Sequence, residues 1–132
     1  MRRCVSVLCL AALAVTVSAA PAGAKARSFT VIGVQSGVQS PHGTSTTATQ
    51  NLFSGNRKVG HDQITCERGQ VSICSTKFFF KTGTIRIQGR ATNAKTFAFP
   101  IVGGTGAYKG AKGSVLVHVL STTRERETFN FR

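Results

Sequence analysis

A chain of 132 residues, 41% hydrophobic and 16% charged, has material for one packed core but not for two. Its 17 basic residues outnumber 4 acidic ones, for a net charge of +13, which selects anionic partners. Those basic residues are scattered, with no basic helix and no zinc-ligand spacing, which argues against nucleic acid.

Residues 1–26 read as a signal peptide. Arg2 and Arg3 open it, and Cys4–Ala20 is an uncharged, largely apolar run. Ala22-Gly23-Ala24 and Ala24-Lys25-Ala26 both carry the Ala-x-Ala pattern, so cleavage is expected after Ala24 or Ala26. Leu8 before Cys9 departs from a lipoprotein signal, and the arginine pair lacks the rest of a twin-arginine motif. The apolar run is short for a membrane span and no second one follows. The processed chain is therefore expected outside the cell, with no transmembrane segment. Residues 27–132 form one expected domain, in which 14 basic residues face Asp62, Glu67, Glu125 and Glu127 for a net of +10.

No stretch of that domain holds a helical period. Short β-forming segments recur between turn residues, an all-β pattern. Eight strands are predicted: Phe29–Val38, Thr46–Phe53, Val59–Glu67, Ile73–Lys81, Thr84–Gly89, Thr96–Val102, Ser114–Ser121 and Glu127–Phe131. Eight short strands in so small a chain suit a closed antiparallel barrel, since closure removes exposed edges; a two-sheet β-sandwich is the alternative. The segment Gln35–Thr49, rich in Ser, Thr and Gly, reads as a mobile loop at a barrel mouth.

Two cysteines, Cys66 and Cys74, remain after the leader. They lie symmetrically about Gln70 in the hairpin connection Arg68–Ser72, where opposed Cβ atoms are close enough for a disulfide. A metal site on these thiols would need two further ligands, and neither Cys-x-x-Cys nor His-x-x-x-His supplies them. His42, His61 and His118 are likewise isolated. No metal and no cofactor is expected.

Alternation sorts the strands into faces. Phe78, Phe80, Ile85, Ile87, Phe97 and Phe99 fall on the inner parity and are candidates to line a cavity. Arg86, Lys95 and Lys109 fall on the opposite parity or in turns. Asp62 shares the parity of Ile64 and Phe78 and is the one acid placed near a core face. A carboxyl desolvated there would have a raised pKa and act as an acid or base, which makes Asp62 the candidate catalytic residue.

The run Gly103-Gly104-Thr105-Gly106-Ala107-Tyr108-Lys109-Gly110-Ala111-Lys112-Gly113 joins two predicted strands. Lys109 occupies the third glycine position of a dinucleotide fingerprint, and Lys112-Gly113-Ser114 breaks the order of a phosphate loop, so the run reads as a shape-critical corner. It closely resembles the Gly-Gly-Thr-Gly-x-(Tyr/Phe) signature of the allene oxide cyclase and dirigent barrel families. Gly103, Gly104, Thr105, Gly106, Tyr108, Gly110 and Gly113 carry that likeness, which extends more weakly back to about Gly60.

The resemblance implies an eight-stranded antiparallel barrel, often trimeric, whose cavity steers cyclisation or coupling of a small molecule by conformational control. Two functions follow. One is a secreted barrel that holds a small hydrophobic or aromatic molecule and steers its cyclisation or coupling. The other is a non-catalytic basic barrel attached to anionic cell-envelope or extracellular polymers. An apolar cavity with a polar group at its floor favours the first, and a filled barrel with clustered Lys and Arg outside favours the second.

Overall fold

The computed structural model describes residues 28–38 and 43–132. The proposed signal peptide and His42 lie outside the described residues. Eight antiparallel strands follow in chain order: β1 (Phe29–Val38), β2 (Ser45–Ser54), β3 (Arg57–Glu67), β4 (Ile73–Phe80), β5 (Gly83–Arg90), β6 (Thr96–Gly104), β7 (Gly113–Ser121) and β8 (Arg124–Phe131). Each pairs with its neighbours, and β1 also pairs with β8, so the sheet closes into a barrel and the sandwich is excluded. The predicted strand positions recur with shifts of a few residues at their ends. The largest shift is at β8, which begins at Arg124 rather than Glu127, and the reading of Gln35–Thr49 as a mobile loop is corrected, since Gln35–Val38 belongs to β1 and Ser45–Thr49 to β2. The Thr-rich half of that segment has β-branched residues that suit a paired strand despite their polarity.

Alternation builds the core. In β5, Ile85 and Ile87 are buried while Arg86 and Gln88 are exposed. Leu52, Phe78, Ile85, Val115 and Phe129 are wholly buried. The ring of Phe129 stacks on Phe29 at 4.5 Å and meets Phe78 edge-on at 4.9 Å. These side chains fill the middle of the barrel, as expected where eight strands enclose little more than the volume of their own side chains. Of the six candidate lining residues, Phe78 and Ile85 belong to this packed waist. Among the described residues, cavities open towards the two mouths.

The glycine run forms a corner that folds back on the β4–β5 turn. Residues Gly106–Tyr108 make a single 3-10 turn. The backbone N–H of Thr105 donates to the Thr84 carbonyl and that of Ala107 to the Thr82 carbonyl, both at 2.9 Å. The Thr84 and Thr105 hydroxyls share a hydrogen bond at 2.7 Å. Tyr108 packs its ring among Phe29, Phe80 and Phe131.

Cys66 and Cys74 are direct partners across β3 and β4 and form a disulfide, with Cα atoms 4.1 Å apart. Closing a loop of about nine residues is worth roughly 2.5 kcal/mol by chain entropy. Replacing both cysteines with serine should lower unfolding stability by about that much, read as a reduced urea midpoint. A midpoint equal to wild type would show that the link adds nothing to the native fold.

Candidate functional site

At one end of the barrel, where β3 finishes and β4 begins, a cavity of about 220 Å³ opens. Cys66, Cys74 and Phe97 stand near its rim, Ile87, Phe99 and Val117 form its walls, and Glu125 and Glu127 project into it from β8. Three of the predicted lining residues therefore meet here: Ile87, Phe97 and Phe99. Phe80 lines a separate cavity at the opposite mouth.

A group of polar side chains lies below this cavity. Asp62 is wholly buried, Glu127 is 2% exposed and Gln50 is 7% exposed. Gln50 and Asp62 are partners across β2 and β3. On the other side of Gln50, Gly33 of β1 sits opposite Glu125 of β8. A Cβ at Gly33 would lie 2.2 Å from Gln50 Oε1. Only a bare backbone lets the Gln50 side chain cross β1, where its Nε2 donates to Glu125 Oε1 at 2.8 Å. Both oxygens of Asp62, together with Gln50 Oε1 and Glu127 Oε2, are buried without a hydrogen-bond partner. Each such atom costs about 1–3 kcal/mol, so a cluster of them points to use rather than to stability.

The surroundings divide the protons among the three acids. Burial, and then the charge of Glu125, raises the Asp62 carboxyl from 3.8 to about 8, against a smaller opposing pull from the Gln50 backbone amide. Glu127 is pushed well above its usual range, first by burial, then by Asp62 and Glu125, and by its hydrogen bond with Glu125. Glu125 is also raised by burial, but hydrogen bonds with Gln50 and Glu127 hold it back. Glu125 is thus the group that most readily carries a negative charge, Asp62 keeps its proton at neutral pH, and Glu127 is biased towards its protonated form. Neighbouring carboxyls whose environments separate their ionisation can serve as a paired acid and base.

Sequence reasoning placed Asp62 on the core face but took it for the one acid there. Glu125 and Glu127 are the correction. Their signal was parity: both share the face of Phe129 and Phe131 along β8, and those phenylalanines face inward. The charge of the two glutamates masked it, because carboxylates are rarely found buried without a partner. His61 lies outside, stacked on Phe79 at 4.7 Å, and His118 Nδ1 bonds the Thr96 hydroxyl at 2.6 Å. Among the described residues, no group of His, Cys, Asp and Glu is arranged to hold a metal ion. Nor is any helix among them long and apolar enough to cross a membrane.

The second cavity, about 510 Å³, is larger, but its charged lining residues are Arg57, Lys58 and Lys81. No carboxyl reaches it, so the paired acid and base belong to the smaller cavity.

The barrel recurs in solved structures. A pyocyanin demethylase superposes with a TM-score of 0.68 and 19% identity, over 80% of this chain and 100% of that one. An exo-specific intermolecular Diels–Alderase gives 0.60 and 17%, over 80% and 98%. A pterocarpan synthase dirigent protein gives 0.54 and 17%, over 81% and 86%. At these identities the likeness is one of fold. No curated protein matches the chain in sequence. A family model for the allene oxide cyclase barrel like domain, however, matches residues 28–131, from the start of β1 to the end of β8, and the chain belongs to that family.

Proposed function

We propose that this protein is a secreted barrel that takes a small hydrophobic or aromatic molecule into the cavity above Glu125 and Glu127 and steers its cyclisation or coupling. One observation carries the reading: an apolar cavity floored by Glu125 and Glu127, whose carboxyls burial biases towards the protonated form, with the buried Asp62 carboxyl beside them. Ile87, Phe99 and Val117 would press the ligand into a folded conformer. A protonated carboxyl would donate a hydrogen bond to a ligand oxygen on which negative charge develops, and Glu125 would accept a proton released elsewhere on the ligand. A volume of about 220 Å³ is below the usual range for drug-sized ligands, which favours a compact molecule or one that extends past the rim. Export rests on the apolar leader, and the disulfide suits an oxidising compartment. By family resemblance the barrel would assemble as a homo-oligomer, a trimer.

A second reading, attachment to anionic polymers without catalysis, is favoured by a different observation. With Asp62, Glu125 and Glu127 turned inward, Glu67 is the acid left on an exterior rich in Lys and Arg. Uptake of the neutral probe N-phenyl-1-naphthylamine separates the two. Ile87→Trp, which fills the cavity, and Ala91→Trp, which blocks its rim without touching the core, should each reduce uptake at least tenfold. Charge reversal at Lys109 and Lys112 should leave uptake intact and weaken adsorption to anionic polymer in low salt. If wild type takes up no probe and only the charge reversals act, the attachment reading replaces the first.

A further inference from the structure

We propose that the opposite mouth of the barrel is a second binding site, for a small amphipathic anion: a flat or aromatic body bearing a carboxylate, sulfonate or phosphate. The site is a notch in the barrel wall with a structural cause. Residues Phe29–Val31 of β1 pair with Phe129, Thr128 and Glu127 of β8, but the β1–β2 ladder begins only at Ile32 and Phe53. Beside it the β2–β3 ladder is irregular between Leu52 and Phe53. β2 therefore ends short of the first residues of β1, and a cavity of about 510 Å³ occupies the gap. That volume lies within the range of ordinary small-molecule sites.

Its lining has two chemistries on two sides. Phe29, Phe80 and Tyr108 form an aromatic floor, with ring centres 5.7 to 6.4 Å apart and mutually tilted, so both ring faces and ring edges are available to a flat apolar body. Arg57 and Lys58, from the start of β3, and Lys81, just after β4, form an exposed cationic rim. No acid neutralises that rim: Asp62, Glu125 and Glu127 point into the barrel, and Glu67 closes β3 at the far end. Three cations beside an apolar pocket form a field that attracts anions and repels cations. An anionic head would meet the rim while the body covers the aromatic floor. The two mouths thus differ in chemistry: Arg57, Lys58 and Lys81 line this one, and Glu125 and Glu127 line the other. This inference is independent of the function proposed for that cavity.

The test is fluorescence titration of the whole protein with the aromatic sulfonate 8-anilino-1-naphthalenesulfonate. Wild type should bind one equivalent saturably. Arg57→Gln/Lys58→Gln/Lys81→Gln should weaken binding about tenfold, the loss expected for three exposed charge contacts of modest strength. These residues are exposed turn and strand-end positions, so the fold should survive. Arg68→Gln/Arg90→Gln/Lys95→Gln removes equal charge at the other mouth and should leave affinity within about twofold. Ala91→Trp, which blocks the rim of the upper cavity at an exposed position, should also leave it unchanged. Any of three results would overturn the proposal: no saturable binding, equal losses in both triple variants, or loss of binding in Ala91→Trp. Equal losses would mean attraction by bulk charge, and loss in Ala91→Trp would place the anion in the upper cavity.

Discussion

Between pH 4 and pH 8 the barrel should lose several kcal/mol of unfolding stability, and Asp62→Asn should remove the share of that loss that Asp62 contributes. The Asp62 carboxyl is raised from 3.8 to about 8 by burial and by Glu125. Over that window the native state holds a proton that the unfolded state has released, so stability falls as pH rises and levels off above the folded value. The rise corresponds to an upper bound on the order of 6 kcal/mol, reduced if water enters beside the ionised group. Glu125 and Glu127 are shifted in the same direction and add to the slope. The asparagine keeps the shape of the buried side chain but cannot ionise. It should match or slightly trail wild type at pH 4 and exceed it clearly at pH 8.5. Urea midpoints measured across that range would decide. A flat wild-type profile would mean that the carboxyls ionise as freely in the barrel as in the unfolded chain.

The same variant bears on function. If a protonated carboxyl beneath the cavity assists bond formation, turnover or stereochemical control should decline as pH passes about 8, while uptake of a neutral ligand persists. Stability and chemistry thus share one cause. Burying these carboxyls together destabilises the barrel as pH rises and leaves Asp62 as an acid still protonated at neutral pH.

Gly106→Val should lower stability by several kcal/mol and could prevent the barrel from accumulating. Gly106 has φ +61, a region that a β-branched residue scarcely enters. A Cβ there would also lie 2.4 Å from the Thr82 carbonyl oxygen and 3.0 Å from Gly83 Cα. Both are backbone atoms held by the hydrogen bonds that pin the corner to the β4–β5 turn, so neither can yield cheaply. Gly103 is the internal control. It has no positive φ, and a Cβ there meets nothing within 4 Å, so Gly103→Ala should be within about 0.5 kcal/mol of wild type. Thermal melts of the two variants side by side would separate a shape-critical corner from an ordinary loop. Equal melting temperatures would show that the corner tolerates side chains throughout.

Much of the architecture was written locally in the chain. Strand positions follow from alternation, which has a period of two and assigns each side chain a face before any partner is known. Ile85 and Ile87 against Arg86 and Gln88 are legible from four letters. The Cys66–Cys74 pairing follows from symmetry about a hairpin turn, another local relation. The glycine corner is legible because positive φ and close backbone approach restrict residue choice at the position itself.

Closure of the barrel and the content of its interior were decided elsewhere. Which strand meets β1 depends on the summed twist and stagger of all eight, and no short window records that sum. The cavity at each mouth is what remains after Phe78, Phe129 and Leu52 have filled the waist, a difference of volumes contributed by separate strands. The carboxyl cluster joins Asp62 of β3 to Glu125 and Glu127 of β8 and to Gln50 of β2, with Gly33 of β1 opening the path between them. A residue's face is a property of its own strand. Its ionisation depends on the neighbours that closure brings against it, so the parity of Asp62 could be read in sequence while its chemistry could not.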